Sequence, residues 1–378
     1  MNDYANMVEI KDDSTMIVLG AGASMGATLH PLIGNWRQSH WKWRKSISTL
    51  PSARNFFYDL FKQRKTVNNS ARFINYLGLM YEGVNDFIVR AWGLSNNSDR
   101  FDVEEWKNLN IEDLYTYLDT GEKMYLKGTD YQIAFQKAKG YLEDFIVTIL
   151  SVKSSNLYCK KLLKLFSTLK PYDNIISFNW DTVADNTLIK LQCQQLKNYQ
   201  SLISHPNFSL KNYRNKGLLL KLHGSLSWLI CLNKKCRRYN VPVIPDDKVS
   251  SPQELMTDKH GYCAVCRSKK VKRLIVPPVS NKVFHSNTFL HKLWLLSRNK
   301  LSHTGKIIFI GYSFPATDFY SEWLFRQMYF LKDRKTEIII INRGIFKKDS
   351  SVAKRYNSIF RNFKITRYRD LDSYLRTI

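Results

Sequence analysis

The sequence predicts an α/β protein built on a parallel sheet, and three observations support this fold class. The apolar run 16–19 leads directly into Gly20-Ala21-Gly22-Ala23-Ser24, as a buried strand does when it opens into a glycine turn. Four later apolar runs have the length of strands, at 174–178, 218–222, 307–310 and 338–341. Stretches with helical spacing of apolar residues separate several of these runs. Together they predict a Rossmann-like parallel sheet with helices on both faces.

Helical spacing is concentrated in one part of the chain. It occurs over 53–63, 70–91 and 130–151, and Asn110 before two acidic residues predicts the start of a further helix. We therefore predict a helical insertion at 51–170, set into a sheet domain made of 1–50 and 171–378. The polar, basic segment 229–275 carries four cysteines and is predicted to be a small module held by metal.

Charge is the unusual bulk property of the chain. Its 58 Lys and Arg residues exceed its 32 Asp and Glu residues, which gives a net charge of +26. About twenty basic and four acidic residues fall between 201 and 306. Such a field attracts polyanions, so nucleic acid, an acidic protein partner and a merely solvated basic face all stay open. No segment is apolar for long enough to span a membrane, and the first residues lack the pattern of a signal peptide, so a cytoplasmic location is expected.

Polar residues follow each predicted strand, and the carboxyl ends of parallel strands meet at one edge of a sheet. Gly20 and Gly22 permit close approach of phosphates to the backbone, and Ser24 can cap a helix or bind phosphate, with Ala21 and Ala23 completing the loop. A purely structural turn would look the same. The usual dinucleotide fingerprint has an acid about twenty residues later. The segment 40–45 has none, which argues against an ordinary dehydrogenase.

The later strand ends carry the candidate chemistry. Asn179 and Asp181 could hold ribose hydroxyls or position a water molecule, although an asparagine there is often only a turn former. His223, between a strand and a glycine, could act as a general base. The small-residue loop 311–318 suits a ribose or phosphate, and its candidate contacts are Gly311, Ser313 and Asp318. Asn342 is a candidate contact to adenine.

Four of the six cysteines form two close pairs, Cys231 with Cys236 and Cys263 with Cys266. In a protein of the cytosol this pattern favours a metal over disulfides, with reduced free thiols as the alternative. Four thiolates suit tetrahedral Zn²⁺. Because protein ligands would fill every position, the ion would be structural and not catalytic.

In this order, the glycine loop, Asn179-x-Asp181, His223-Gly224 ahead of the cysteines and Gly311-x-Ser313 resemble the sirtuin (Sir2) NAD-binding fold. The resemblance covers about 15–50 and 171–345. It is closer to the SIR2-like branch of bacterial anti-phage defence, which tends to carry Gly-Tyr-Ser and a following Asp, as in 311–318. Ile275-Val276-Pro277-Pro278 before Lys282 also fits that branch. The resemblance implies NAD⁺ as a substrate.

The chain departs from the deacylating sirtuins at two places. It has the segment 26–31 where they carry Gly-Ile-Pro-Asp-Phe-Arg, and it has Phe178 where they carry Gln. We therefore expect an NAD⁺ glycohydrolase that depletes NAD⁺ in anti-phage defence. Asn179 would position the water or the ribose, and His223 would accept a proton. The alternatives are an NAD-dependent protein deacylase and a non-catalytic subunit that binds NAD derivatives or nucleic acid.

Control of such an activity is expected to come from outside the catalytic domain. A homo-oligomer or a separate partner is plausible, and the resemblance implies a HerA-like ATPase or an Argonaute-type activator. Nucleic acid stays a candidate ligand of the basic surface. No membrane partner is expected.

Overall fold

The computed structural model describes residues 14–24, 28–29, 56–58, 87–88, 90–94, 103–154, 157–205, 208–243, 262–263, 265–276, 287–331 and 336–378. The chain divides into two compact units. The first unit comprises 1–29, 156–276 and 281–378, and the second comprises 30–155 and 277–280. Several expectations fall outside the described residues: Gly26, Ala27, the segment 40–45, most of 53–63 and 70–91, Pro277, Pro278 and Lys282. The domain boundaries proposed above stay predictions.

The first unit is built on a six-stranded parallel sheet with the strand order β5-β4-β1-β9-β10-β11. A three-stranded antiparallel sheet, β7-β6-β8, and the pair β2-β3 accompany it. In chain order the strands are β1 (Ser14–Leu19), β2 (Thr28–Leu29), β3 (Leu157–Tyr158), β4 (Asn174–Ser177), β5 (Leu219–Lys221), β6 (Gly224–Cys231), β7 (Pro242–Val243), β8 (Val271–Ile275), β9 (Thr304–Ile310), β10 (Glu337–Ile341) and β11 (Lys364–Tyr368).

The central strands are buried on both faces, as their unbroken apolar sequences predict. Ile17 of β1 and Ile307 of β9 are fully buried, and so is Ile340 of β10. Residues alternate between faces along a strand, so burial of consecutive positions means that both faces of the sheet are covered. The predicted α/β fold with a parallel sheet is therefore confirmed.

The helices connect these strands. They are α1 (Ile111–Met124), α2 (Asp130–Ser154), α3 (Lys160–Phe166), α4 (Val183–Leu191), α5 (Gln194–Ser204), α6 (Thr288–Leu301), α7 (Phe319–Arg326), α8 (Met328–Leu331), α9 (Ser351–Ile359) and α10 (Leu371–Leu375). From β1 the chain moves outward through β4 and β5, and later through β9, β10 and β11 on the other side. Right-handed crossovers in two opposite directions place helices on both faces of the sheet.

This strand order fixes where a ligand would bind. The direction of winding reverses between β1 and β9, which are neighbours. In open parallel sheets, ligands bind in the crevice at the carboxyl ends of the strands where the order reverses. The loops after β1 and β9 are the glycine loop at 20–24 and the loop at 311–318. The fold thus brings together two of the segments that the sequence marks out.

The second unit contains α1 and α2, which pack against each other. Asn110 caps α1, since its side-chain oxygen accepts a hydrogen bond from the Glu112 N–H at 3.0 Å. The predicted helix start is confirmed. Trp106 and Leu114 are fully buried within this unit.

Two parts of the fold were not predicted. β11 carries charged residues and pairs only with β10, at the edge of the sheet. β6 runs directly from the predicted His223-Gly224 turn to the first cysteine. The segment predicted as a metal module contains strands that were not predicted, since β6, β7 and β8 form a sheet.

Candidate functional site

The candidate site lies at the carboxyl edge of the parallel sheet, where five strands end in register. Leu19 of β1 pairs with Ser177 of β4 and with Ile310 of β9, Ser177 pairs with Lys221 of β5, and Ile310 pairs with Ile341 of β10. These five residues form one row across the sheet. The residues that follow them therefore share one edge, and they include Gly20, Asn179, His223, Gly311 and Asn342.

The two glycine loops interlock at this edge. The Gly20 N–H donates to Ile310 O at 3.0 Å, and the Gly22 N–H donates to Gly311 O at 3.1 Å. A Cβ on Gly22 would lie 2.8 Å from the Gly311 Cα, and a Cβ on Gly311 would lie 2.4 Å from the Gly22 carbonyl carbon. Gly311 also has a φ of +60°, which side chains with a Cβ disfavour. The glycines thus permit close approach of one loop to the other, and the approach of a phosphate stays a prediction.

Asn179 braces the glycine loop from the β4 side. Its Nδ2 donates to Gly20 O at 2.9 Å and to Ser24 Oγ at 3.2 Å. Ser24 in turn donates to Asp181 Oδ2 at 2.9 Å. Asn179 is only half-buried, and no hydrogen bond among the described residues uses its Oδ1. That oxygen is therefore the polar atom of this group best suited to a ligand or a water molecule.

Asp181 is buried and linked to protein groups on both oxygens. Besides Ser24, it accepts from the Val183 N–H at 2.9 Å, at the start of α4. Burial raises the pKa of Asp181, although Lys221 opposes this shift. The structure therefore places Asp181 behind the glycine loop, as an anchor of the loop.

Lys221, which was not predicted as a site residue, is fully buried beneath this cluster. Its Nζ donates to Asp181 O at 2.6 Å and to Asp185 Oδ2 at 2.7 Å. Asp185 also accepts from the Tyr199 hydroxyl at 3.1 Å. Breaking a buried pair of this kind is costly because one charge stays behind without its partner. A lysine inside the leucine run 218–222 is the sequence signal for such a partner.

His223 is nearly buried, with 3% of its surface exposed. Its Nδ1 lies 3.1 Å from Phe178 O, and its Nε2 lies 3.1 Å from Asp318 Oδ2. A backbone carbonyl can only accept, so Nδ1 carries a proton when this bond forms. The Nε2–Asp318 contact then needs one further proton, held by the imidazole or by the carboxyl. His223 and Asp318 thus form a proton-sharing pair.

Tyr312 contacts the Asp318 side of this pair. Its hydroxyl lies 2.7 Å from Asp318 Oδ2 and 2.6 Å from Ser321 Oγ. Burial, with a contribution from the charge of Asp318, holds the pKa of Tyr312 well above its ordinary value, so the phenol stays protonated. The Tyr312 ring stacks on Phe178, with ring centroids 4.6 Å apart. Neither Tyr312 nor Phe178 was assigned a role from the sequence, where aromatic residues are most simply explained as core.

The predicted contacts divide into accessible and supporting residues. Ala21, Gly22 and Ser313 are exposed, whereas Ala23, Ser24, Asp181 and Asp318 are buried. The Asn342 side chain accepts from the Gly344 N–H at 2.8 Å and donates to Tyr312 O at 2.9 Å. Through these two bonds Asn342 links the loops that follow β9 and β10. A direct contact to a ligand by any of these residues stays a prediction.

A candidate metal centre lies in the same unit, at the ends of β6 and β8. The four Sγ atoms of Cys231, Cys236, Cys263 and Cys266 lie within 4.8 Å of one another. The separations of Cys231 from Cys266 and of Cys236 from Cys263 are 3.7 and 3.8 Å. Tetrahedral Zn²⁺ with Zn–S bonds of about 2.3 Å sets S–S separations of about 3.8 Å. The four cysteines therefore fit such an ion.

Backbone N–H groups donate hydrogen bonds to these sulfurs and so stabilise the thiolate form that binds a cation. The N–H of the residue two positions later donates to Cys231, Cys236 and Cys263, each at 3.4 Å. The backbone of Ser268 does the same for Cys266 and lowers the pKa of that thiol to about 7. Burial raises the pKa of Cys231 to about 12. Four thiolates at these distances need a positive charge among them, which a divalent metal supplies.

No family model matches the sequence, and no curated protein matches it. Among solved structures, one similar chain is described as Sir2 in complex with the inhibitor EX-527, 2′-O-acetyl-ADP-ribose and a deacetylated p53 peptide. It has 12% identity and a TM-score of 0.33, over 77% of this chain and 87% of that one. A second, described under the structural basis of sirtuin substrate affinity, has 11% identity and a TM-score of 0.34, over 96% and 92%. Both likenesses are weak, and the named ligands belong to the neighbouring structure.

None of the described helices combines the length and apolar character needed to cross a membrane.

Proposed function

We propose that this protein is an NAD⁺ glycohydrolase, which cleaves NAD⁺ to nicotinamide and ADP-ribose. The observation that carries the proposal is the convergence at the sheet edge. The glycine loops meet at the reversal of strand order, where nucleotides bind in such sheets. Asn179 and His223 lie on the two neighbouring strand ends and are joined through Phe178, which accepts from His223 at 3.1 Å.

The reaction requires the protein to position the substrate and the water and to accept one proton. Nicotinamide leaves with the electron pair of the C1′–N bond, which neutralises its pyridinium nitrogen. The ribose then has oxocarbenium character, as in glycoside hydrolysis. Water adds to C1′ and loses one proton, so the products are nicotinamide, ADP-ribose and H⁺. In this proposal Asn179 Oδ1 orients the water, and the His223–Asp318 pair accepts the proton of the water when the pair has lost its own shared proton.

The four-cysteine cluster is proposed to hold structural Zn²⁺. All four ligand positions would come from the protein, which leaves no open position for a substrate. β8 leads from this cluster to the site, since the Val276 N–H donates to His223 O at 2.8 Å and Val276 O accepts from Trp180 Nε1 at 3.1 Å. Zinc would therefore stabilise the far side of the His223 turn.

The biological proposal is depletion of NAD⁺ in the cytoplasm during phage infection. The proposed forms of control are a homo-oligomer and a partner such as a HerA-like ATPase or an Argonaute-type activator. These assignments rest on the motif resemblance described above. They predict that cellular NAD⁺ falls after phage challenge in cells that express the wild type and not in cells that express Asn179→Ala.

The direct test is incubation with NAD⁺ in H₂¹⁸O, with and without candidate activators, followed by mass spectrometry of the products. We expect nicotinamide and singly labelled ADP-ribose. Asn179→Ala and His223→Ala should each lower kcat/KM by about 10²–10⁴. Matched controls are the exposed Asn212→Ala and His205→Ala, which should leave the rate unchanged.

Two results would contradict the proposal. One is absence of NAD⁺ turnover by the wild type under every activating condition, and the other is full activity in both site variants. Formation of acylated ADP-ribose from an acyl-lysine peptide would indicate a deacylase instead. Thermal unfolding of each variant separates a lost reaction from a lost fold.

A further inference from the structure

The described part of the cysteine module carries exposed basic residues that form no ion pair with a described acidic residue. Between 208 and 276 the described residues include no aspartate or glutamate, and the four acids of this stretch fall in 244–261, outside the described residues. We define the module face by its seven exposed basic side chains, which are Lys234, Lys235, Arg237, Arg267, Lys269, Lys270 and Lys272.

Elsewhere on the described surface, some basic residues have an acidic partner. Lys123 pairs with Asp119 at 2.6 Å, and Arg326 pairs with Glu322 at 2.9 Å. None of the ion pairs among the described residues involves the module face. No described acidic residue therefore offsets the positive charge of this face.

The cysteine cluster brings the basic residues of two chain segments together. Lys234, Lys235 and Arg237 lie in the turn that holds Cys236, and Arg267, Lys269 and Lys270 follow Cys266. The Leu232 N–H donates to Lys270 O at 2.7 Å, which joins the two segments directly. The cysteine cluster and this hydrogen bond therefore hold the two basic segments next to each other.

Two exposed tyrosines accompany these charges. Tyr239 and Tyr262 keep 43% and 46% of their surface exposed. The Arg267 guanidinium lies over the Tyr262 ring, 4.9 Å from its centroid. An aromatic ring and a planar guanidinium beside basic residues are what unpaired bases stack on, while the lysines contact phosphates. An acidic protein would use the charges but would not need exposed rings.

We propose that the module face binds single-stranded nucleic acid. Phosphates lie along the lysines of both turns, and bases stack on Tyr262 and Tyr239. This site is separate from the proposed NAD⁺ site and does not depend on it. DNA and RNA present the same phosphates and bases to such a surface, so the test includes both.

The test measures fluorescence anisotropy of labelled 20-mers of oligo-dT and oligo-rU with the full chain, in a salt series. We expect Lys269→Ala/Lys270→Ala to weaken binding at least fivefold at about 100 mM NaCl. Its salt slope should fall by about 1.4, because each phosphate contact to a single strand contributes about 0.7. Lys347→Ala/Lys348→Ala removes the same charge from two exposed lysines outside the module and should weaken binding less than twofold.

A second pair of variants tests stacking without changing charge. Tyr262→Ala should weaken binding about tenfold with an unchanged salt slope, whereas Tyr262→Phe keeps the ring and should bind like the wild type. Thermal unfolding and metal content of all variants should match the wild type.

Several outcomes would overturn the proposal. They are no binding of either single strand, equal weakening by the two lysine pairs, and binding that does not respond to Tyr262→Ala. Tight binding of polyglutamate together with indifference to Tyr262→Ala would assign the face to an acidic protein. Equal binding of a 20-bp duplex and of the single strands would remove the stacking role of the tyrosines.

Discussion

Asp318 is the residue whose replacement tests the candidate site most directly. Asp318→Asn keeps the shape of the side chain and removes its charge. In the structure, Asp318 Oδ2 faces two partners, His223 Nε2 at 3.1 Å and the Tyr312 hydroxyl at 2.7 Å. All three side chains are buried. The variant therefore changes one proton-sharing contact in a fixed environment.

The expected losses of stability and activity follow from these contacts. A hydrogen bond to a charged group contributes about 1.5–3 kcal/mol. The amide keeps one neutral contact to Tyr312 or His223, so the free energy of unfolding should fall by about 2–4 kcal/mol. The amide N–H₂ group would also occupy the Nε2 lone pair that a base needs. We therefore expect kcat/KM for NAD⁺ to fall by about 10²-fold, at the lower end of the range for losing a general base.

The assays are NAD⁺ cleavage and urea unfolding. A double-mutant cycle with His223→Ala should give a coupling free energy of about 1.5–3 kcal/mol. The exposed Asp349→Asn is the matched control. Wild-type kcat/KM and an unchanged free energy of unfolding in Asp318→Asn would refute the reasoning.

Three further predictions concern the metal, the glycine contact and pH. Cys263→Ser should remove about one Zn²⁺ per chain, measured by elemental analysis, and lower the melting temperature, whereas Cys193→Ser should do neither. Gly311→Ala should lower the free energy of unfolding in urea by about 2–4 kcal/mol, since its Cβ would lie 2.4 Å from the facing glycine loop. Gly128→Ala, also at positive φ but with nothing within 4 Å, should cost about 1 kcal/mol. Burial lowers the pKa of Lys300 to about 7, so the folded protein loses this proton before the unfolded chain does. Stability in urea should therefore rise by up to about 2 kcal/mol from pH 7 to pH 9, and Lys300→Met should abolish that part of the rise.

The strands and the edge where the candidate residues meet were predictable from local patterns. An apolar run followed by a polar residue is visible in the sequence, and parallel strands bring their ends together. The strand ends do meet in one row, in which Leu19 pairs with Ile310 and Ile310 pairs with Ile341. β11 was not predictable, because an edge strand buries only part of its surface and its charged residues hide the pattern.

The pairings between side chains were not predictable, because they depend on register between distant segments. Asp318 was predicted as a cofactor contact, and nothing local in the sequence indicated that its carboxylate faces His223. Ser24 was predicted to cap a helix or bind phosphate, and nothing local indicated that its hydroxyl donates to Asp181. Only Lys221 gave a local signal, since a lysine within a leucine run needs a buried partner.

The contact between the loops at 20–24 and 311–318 limits which N–H groups of the glycine motif could bind a phosphate. The N–H groups of Gly20, Gly22 and Ala23 already donate to backbone oxygens of the protein, at 3.0, 3.1 and 2.9 Å. A diphosphate could take the N–H groups of Gly20 and Gly22 only by breaking their bonds to Ile310 O and Gly311 O, and that of Ala23 only by opening the turn closed by Gly20 O. The glycines therefore hold the loops after β1 and β9 together, and Ala21, Gly22 and Ser313 stay exposed beside this contact. A bulky residue at Gly22 would separate the loops themselves, so lost cleavage in such a variant would not by itself show a phosphate contact.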